Sequence, residues 1–184
     1  MDNDQKQAIA HAEGVLAGFS PIFEDAFLSG MRKKLGLFTA ANDDAELVRD
    51  FLGILAAGEA DFTLAFRRLC DAAQDPAADE SLRSLCANED LYNDWAVRWR
   101  QRLGQEGGDA SRRSALMRAA NPAFIARNHR VEAVINAAVQ RDDFAPFEEL
   151  LAVLAKPFED QPGFSHYMDP PKAHERVTQT FCGT

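Results

Sequence analysis

Apolar residues recur every three or four positions through most of this 184-residue chain, and this spacing restricts the available folds more than any other feature. In residues 43–57 they form one continuous helical stripe, made of Leu47, Val48, Phe51, Leu52 and Leu55. Asp43 with Glu46 is typical of a capping box, and Gly58 is typical of a helix stop. No β-branched run alternates over five or more positions. The sequence therefore predicts an all-α fold.

Further stripes predict seven or eight helices in a single multi-helix domain, with sequential neighbours packed antiparallel. Ser20-Pro21 is typical of an N-cap and first helical residue, so we expect a helix from there to about Gly36. Asn121-Pro122 predicts the start of another helix. Three more stripes comprise Phe62, Ala65, Phe66, Leu69 and Cys70; Leu91, Trp95, Trp99 and Leu103; and Phe144, Phe147, Leu150, Leu151 and Leu154.

The last part of the chain has a different composition. Four prolines and several aromatic residues lie between Pro157 and Thr184. Proline interrupts regular helix, whereas large aromatic side chains favour burial. We therefore predict a helical domain over residues 1–156, followed by an extended segment over 157–184 that wraps its surface.

Charge and hydropathy exclude several kinds of protein. The chain has 20 Lys and Arg against 29 Asp and Glu, which gives a net charge of −9. An acidic surface disfavours nucleic acid and anionic membranes. No apolar run approaches the roughly 20 residues of a membrane span, and the first residues do not resemble a signal peptide. We expect a soluble, cytoplasmic protein with no nucleic-acid or membrane partner.

The sequence also lacks the common motifs of catalysis. It contains no G-x-G-x-x-G, no G-x-x-x-x-G-K-[ST] and no G-x-S-x-G. Its three cysteines and four histidines show no zinc-ligand spacing. We therefore predict no catalytic, cofactor-binding or metal-ligating residue in this chain.

Arginines concentrate in the middle of the chain. Eight lie between Arg98 and Arg130, against two acidic residues, Glu106 and Asp109. Arginine recognises phosphate and carboxylate groups in bidentate fashion, so the stretch could meet a nucleotide or an acidic partner. The alternative is a helix face whose arginines pair with acids of the same chain.

Residues 121–129 form the most specific segment, and they supply four interaction candidates: Asn121, Arg127, Asn128 and His129. A helix starting at Asn121 would place Asn128 on a stripe with Phe124 and Val131, so its amide would be buried and hydrogen-bonded. That amide would join two backbones or contact a ligand. We expect His129 to be a partner in this network rather than a catalytic base.

The cysteines divide into two kinds. Cys70 and Cys86 lie on or beside apolar stripes and are predicted to be inert core residues. Cys182 lies near the end of the chain beside small residues, which favours exposure of its thiol. It is the one redox candidate, although an incidental thiol remains an alternative.

Three blocks resemble the selenoprotein O family of protein adenylyltransferases, which includes the bacterial YdiU-type proteins. They are residues 27–37 with 60–63 and 66–69; Met117 with 121–129; and 154–158 with Tyr167, Pro170-Pro171 and residues 182–184. The blocks keep the family's order from about Phe19 onward. Cys182 stands where animal members place selenocysteine, which implies a redox role through a disulfide with an upstream cysteine of the intact enzyme.

The resemblance covers only the C-terminal part of that family. It implies a kinase-like catalytic core in upstream polypeptide, which binds ATP and Mg²⁺ and transfers AMP to Ser, Thr or Tyr of protein substrates. No position of this chain inherits those roles, since the family's nucleotide-binding residues lie upstream. The expected function is therefore structural and regulatory support of that core. The alternative is a stand-alone helical adaptor or scaffold domain without enzymatic activity.

Overall fold

The structure is a computed structural model and describes residues 3–177. Over that range the chain is helical and contains no strand, which confirms the predicted all-α class. The eight α-helices are α1 (Asn3–Leu35), α2 (Asp44–Ala57), α3 (Phe62–Gln74), α4 (Asp79–Arg83), α5 (Glu89–Glu106), α6 (Ala110–Ala120), α7 (Asn128–Arg141) and α8 (Ala145–Leu154). Three short 3-10 helices span Pro76–Ala78, Pro162–Met168 and Ala173–Glu175.

The larger hydrophobic core lies among helices α1 to α6, with two tryptophans of α5 at its centre. Trp95 and Trp99 are fully buried and stack with ring centroids 5.4 Å apart. Each indole N–H donates to a backbone carbonyl, Trp95 to Leu47 and Trp99 to Leu35, both at 2.9 Å. These bonds satisfy the only polar atom of each ring, so α5 is fixed against α1 and α2 without a polar group left unpaired.

Helix pairing differs from the predicted order. α1 packs on α2 and α7 packs on α8, but the most extensive contacts of α3 are with α6, and those of α2 are with α5. The expectation that sequential neighbours always pair is therefore wrong. The buried residues of α3 form a wide face along the helix. One part of this face contacts α6 and another part contacts α4.

A second hydrophobic cluster lies in the C-terminal part of the described chain. It comprises Ala123, Phe124, Val134, Leu150, Val153 and Tyr167. Tyr167 also donates its hydroxyl hydrogen to Glu149 at 2.7 Å. Residues after 156 therefore contribute to this cluster, but their path is not simply extended, because two of the 3-10 helices lie there. The proposed boundary at residue 156 stays a prediction.

Two predicted helix starts are wrong. α1 begins at Asn3 and continues through Pro21, since the residues before Ser20 are mostly good helix formers and proline removes only one helical N–H. At the other position α6 ends at Ala120, and Asn121 is its C-cap rather than a helix start. The Asn121 side chain is buried and bonded to other helices, which prevents it from capping a helix of its own.

The predicted ends of α2 also differ in detail. Asp43 precedes the helix but makes no capping bond, and the neighbouring Asp44 accepts from Ala41 N–H at 2.8 Å instead. Gly58 has a φ of −91° and is not left-handed, whereas Glu59 has a φ of 48°. Glycine is favoured at position 58 because a side chain would not fit: an added Cβ would lie 2.9 Å from the backbone nitrogen of Ala87.

Helix α1 carries an apolar face that the described residues leave largely exposed. Phe19, Phe23 and Phe27 stack along it with centroid separations of 5.9 and 6.2 Å, and their exposed fractions are 63%, 55% and 46%. Ile9, Val15, Leu16 and Ile22 are exposed on the same helix. None of the described helices combines the length and the hydropathy that crossing a bilayer requires.

Of the five residues in the stripe predicted from Phe144 to Leu154, three are exposed and only Leu150 is fully buried. Leu150 and Val153 are buried in the second cluster, but Phe144, Phe147 and Leu151 are 55%, 50% and 59% exposed. The pattern identified the helix correctly and assigned its buried face too widely. A four-residue spacing marks neighbouring positions on a helix surface but not the width of the surface that another element covers.

Candidate functional site

The four candidates of residues 121–129 lie in two places: Asn121 lies where α1, α3 and α6 meet, and Arg127, Asn128 and His129 lie at the start of α7. Asn121 is fully buried. Its amide donates to Lys34 O at 3.0 Å, and its Oδ1 accepts from Lys34 Nζ at 3.2 Å. Lys34 Nζ also donates to Ala120 O at 3.0 Å and lies 5.5 Å from the ring centre of Phe66. Burial lowers the pKa of Lys34.

Arg67 of α3 ties this junction to the segment after α8. Its guanidinium donates to Asn121 O at 2.9 Å, to Phe158 O at 3.3 Å and to Asp160 at 2.5 Å. The residue is 3% exposed, so these bonds replace solvent around a buried cation. The two hydrophobic clusters are thereby joined by a charged side chain.

Arg127 forms a bidentate ion pair with Asp61, the residue that precedes α3. The two guanidinium nitrogens lie 2.6 and 2.9 Å from the two carboxylate oxygens. Asp61 also accepts from Leu64 N–H at 2.8 Å and so caps α3. Burial alone would raise the pKa of Asp61, but the bonds from Arg127 and Leu64 outweigh it and hold that pKa below its usual value.

Asn128 and His129 begin α7 and differ in exposure. The amide of Asn128 is exposed, which contradicts the buried position predicted for it, because α7 starts seven residues later than expected and presents a different face. His129 is 8% exposed, and its Nε2 has no hydrogen-bond partner among the described residues. Burial, with the nearby Arg130, lowers the pKa of His129 and favours the neutral imidazole.

A cavity of about 820 Å³ lies beside the start of α7. Its lining comes from four parts of the chain: the connection from α2 to α3, residues 84–85 after α4, residues 125–129, and the segment from Pro170 to Val177. Arg127 and His129 line it directly. At its edge Glu59 pairs with Arg176 at 3.6 Å, an exposed contact that joins the α2–α3 connection to the C-terminal segment.

The arginine-rich stretch is largely paired within the chain. Arg98 bonds Asp50 at 2.7 Å, Arg100 bonds Asp79 at 2.7 Å, and Arg118 bonds Asp160 at 3.0 Å and also Asp71. These pairs support the interpretation in which the arginines meet acids of the same chain. They leave little of this charge for a nucleotide.

Arg102 takes part in a more buried network that the sequence analysis missed. Asp44 has a fully buried side chain and accepts from Arg32 at 2.7 Å and from Arg102 at 2.8 Å. Burial by itself would raise the pKa of Asp44, but these bonds hold it below its usual value. Nothing in the spacing of the three residues predicts the contact, because they come from three different helices.

The cysteines of the described chain show no sign of redox chemistry. Cys70 is buried and donates its thiol hydrogen to Phe66 O at 3.2 Å, while Cys86 is half-buried. Burial raises the pKa of both thiols, which disfavours the reactive thiolate. Cys182 lies outside the described residues, so its redox role stays a prediction. Within residues 3–177 no group of three or more His, Cys, Asp or Glu is placed to hold a metal ion.

Comparison with known proteins shows to which family this chain belongs. The family described as "Protein adenylyltransferase SelO" matches residues 6–155, which include most of α1, Asn121 with its partner Lys34, and the Arg127–Asp61 ion pair. This chain belongs to the SelO family. The resemblance found in the sequence is thus confirmed.

Several SelO-family relatives are similar over nearly the whole chain. The "Protein nucleotidyltransferase YdiU" of Rhodopseudomonas palustris strain BisB18 is 56% identical over 184 residues. The protein of the same name from strain BisB5 is 54% identical over 181 residues. That of Methylorubrum extorquens strain PA1 is 52% identical over 190 residues.

These SelO-family relatives are much longer than the chain. The match covers 100% of this chain but 37% of the BisB18 protein, and 98% of this chain but 37% of the BisB5 protein. The chain therefore corresponds to little more than a third of the relatives that it matches.

Proposed function

We propose that this chain is the C-terminal helical region of a SelO-family protein adenylyltransferase, and that it supports the catalytic core without performing AMP transfer itself. In the intact enzyme, the upstream kinase-like core would bind ATP and Mg²⁺ and modify hydroxyl groups of protein substrates. We infer a cytoplasmic location, where both cofactors are available. The main support is that the chain corresponds to 37% of its relatives' length.

The exposed apolar face of α1 supports the proposal that this chain packs against a large partner. Phe23 and Leu35 are twelve residues apart, which at about 100° per residue places their side chains about 120° apart around the helix. Leu35 is fully buried in the chain's own core, whereas Phe23 is 55% exposed. α1 therefore has two apolar faces, and only one has a partner among the described residues. Exposed apolar surface of this extent is typical of an interface.

The pairing of the cationic side chains supports the proposal that this chain does not form the nucleotide site. Phosphate transfer requires cationic groups directed at the phosphates and carboxylates or amides that hold Mg²⁺. In this chain Arg98, Arg100 and Arg118 pair with carboxylates from other parts of the fold, and the half-buried Lys34 donates to Asn121. These groups maintain the fold.

A chimera tests the proposal. The matching segment of the BisB18 protein is replaced by this chain, and transfer of radiolabelled AMP to protein is measured. We expect the chimera to be active and Phe19→Glu/Phe23→Glu to abolish activity, because two charges would be buried against the core. Ala10→Glu/Ala17→Glu adds the same charge on the opposite face of α1 and is expected to preserve activity.

The isolated chain provides the complementary measurement. Calorimetry with ATP and Mg²⁺ is expected to give no binding. Micromolar affinity would contradict the proposal, and so would an active chimera carrying Phe19→Glu/Phe23→Glu. An inactive but soluble and folded wild-type chimera would favour the adaptor alternative, in which the apolar face serves another protein.

A further inference from the structure

The part of α1 that extends from the body of the fold has a regular apolar pattern. Every residue from Asp4 to Phe27 is exposed, so most of this 33-residue helix lies outside both hydrophobic clusters. Apolar residues recur along it at alternating spacings of three and four, and we call these positions the seam: Ile9, Ala12, Leu16, Phe19, Phe23 and Ala26. An average spacing of about 3.5 residues keeps such positions on one side of a helix that packs along another helix. The seam therefore indicates a helical partner.

Residues that would disfavour such packing lie on other sides of α1. Glu24 and Asp25 are at solvent-facing positions of the repeat, and Pro21 is opposite the seam. Val15 and Ile22 flank the seam instead, since each directly precedes a seam residue, and they are 64% and 71% exposed. The seam and its two flanking residues thus form an apolar stripe that contains no charged residue.

The seam matches a second copy of itself when the two helices run antiparallel. In a two-fold pair centred between residues 17 and 18, Ala12 of one copy faces Phe23 of the other, and Ile9 likewise faces Ala26. A large side chain then meets a small one in both layers. A parallel pair would place Phe23 against Phe23 and Ala12 against Ala12, which crowds one layer and leaves a gap in the other. Side-chain size therefore favours antiparallel pairing of two identical helices.

The other large side chains fit the same arrangement. Leu16 of one copy faces Phe19 of the other at the centre of the pair. On the flank, Val15 of one copy lies beside Ile22 of the other. Because a two-fold interface uses the same patch on both copies, each of these contacts occurs twice.

The charges of α1 favour the same direction. The helix has an acidic residue, Asp4, in its first turn and basic residues in its last turn, of which Lys33 is exposed. An antiparallel pair brings the first turn of each helix beside the last turn of the other, so opposite charges meet at both ends. A parallel pair would place the two acidic turns together.

The exposed area of α1 is sufficient for a dimer. A whole phenylalanine side chain buries about 200 Å², so the exposed fractions of Phe19, Phe23 and Phe27 offer roughly 300 Å² in each copy. The same helix adds four exposed aliphatic side chains, Ile9, Val15, Leu16 and Ile22. With these, two copies would bury on the order of 1,200 Å² together, which is the lower end of the range for specific interfaces.

We propose that two copies of this chain associate through α1 as an antiparallel, two-fold symmetric helix pair, with Ala12 of each copy packed against Phe23 of the other. The inference concerns this chain by itself and does not rest on the proposed adenylyltransferase role. A catalytic core that packed on the same face would displace the second copy.

Sedimentation equilibrium of the full chain over a range of concentrations tests the proposal. We expect a monomer–dimer equilibrium with a dissociation constant in the micromolar range. Phe23→Ala should weaken the dimer about a hundredfold or more, because each dimer loses the contact twice. Since Phe23 is 55% exposed in the single chain, the variant should keep its fold, which circular dichroism checks.

A size exchange tests the register and the direction. Ala12→Phe alone should also weaken the dimer, because two phenylalanines would then meet in one layer. Ala12→Phe/Phe23→Ala exchanges the large and small residues and should regain most of the affinity that Phe23→Ala loses. Ala10→Phe adds the same side chain on another side of α1 and should leave the affinity unchanged.

Three results would contradict the proposal. A chain that stays monomeric at every concentration has no such interface. A Phe23→Ala variant that dimerises as tightly as the wild type must associate through a different surface. A double variant no tighter than Phe23→Ala would show that positions 12 and 23 do not face each other. Activity of the chimera described above does not enter this test, so the two proposals can fail separately.

Discussion

Asn121 and Lys34 exchange hydrogen bonds in both directions. The asparagine amide donates to the lysine backbone carbonyl at 3.0 Å, and the lysine ammonium donates to the asparagine Oδ1 at 3.2 Å. The first bond fixes the end of α6 to the last turn of α1, while the second gives a half-buried cation one of its acceptors. One side chain thereby joins α1 to the end of α6 through two residues that are 87 positions apart in sequence.

Asn121→Ala should therefore be strongly destabilising. The substitution removes both bonds and leaves Lys34 Nζ with fewer acceptors, so we expect a loss of about 2–4 kcal/mol in the free energy of unfolding. Urea denaturation measures it. Asn128→Ala is the matched control, since that amide is exposed, and its effect should stay within about 0.5 kcal/mol. Equal effects of the two substitutions would contradict the role given to Asn121.

The ion pair of Arg127 and Asp61 can be measured by a double-mutant cycle. Arg127→Leu or Asp61→Asn alone leaves a buried charge without its partner, and each should cost about 3 kcal/mol or more. Because the two residues act together, the double variant should cost less than the sum of the single ones. Strictly additive losses would mean that the pair contributes no coupling energy.

The buried Asp44 should make stability depend on pH. Its pKa is lowered in the folded protein, so its contribution is fully present above the ordinary aspartate pKa of about 3.9 and is lost as the pH falls through the folded value. The difference in unfolding free energy between the wild type and Asp44→Asn should be constant from neutral pH to about pH 5 and should shrink below about pH 4. Denaturation at a series of pH values checks this. A difference that grows on acidification has the wrong sign and would refute the assignment.

Two glycines of the α2 region should respond in opposite directions to alanine. At Gly58 the new Cβ would lie 2.9 Å from Ala87 N and 3.0 Å from Leu85 O, and backbone atoms yield little. Gly58→Ala should therefore destabilise the fold by about 1–3 kcal/mol. Gly53 lies within α2 with no atom near the corresponding position, so Gly53→Ala should stabilise by about 0.5–1 kcal/mol. Thermal denaturation of both variants gives the comparison.

The helices of this fold follow from apolar spacing, but the site does not. Trp95 and Trp99 are four residues apart on one stripe, and both are buried, because burial of a helix face leaves a local signal in the sequence. The partner of Arg127 is different. Asp61 lies 66 residues away, and its position before Phe62 indicates only a helix cap. Ion pairs between helices depend on tertiary packing, which one sequence does not reveal.

Helix boundaries show the same division between local and tertiary causes. Asn121-Pro122 has the residue types of a helix start, and local preference alone would place one there. In the fold the Asn121 amide bonds Lys34 and its carbonyl accepts from Arg67, so tertiary contacts determine the conformation. Pro21 is the converse case, since the helix formers around it continue α1 despite the lost hydrogen bond.

The three stacked phenylalanines of α1 also affect how long the polypeptide persists in a cell. A chain that presents Phe19, Phe23 and Phe27 to water is a substrate for chaperones and proteases until another surface shields it. Its steady-state amount would then be set by the supply of its binding partner rather than by its own rate of synthesis.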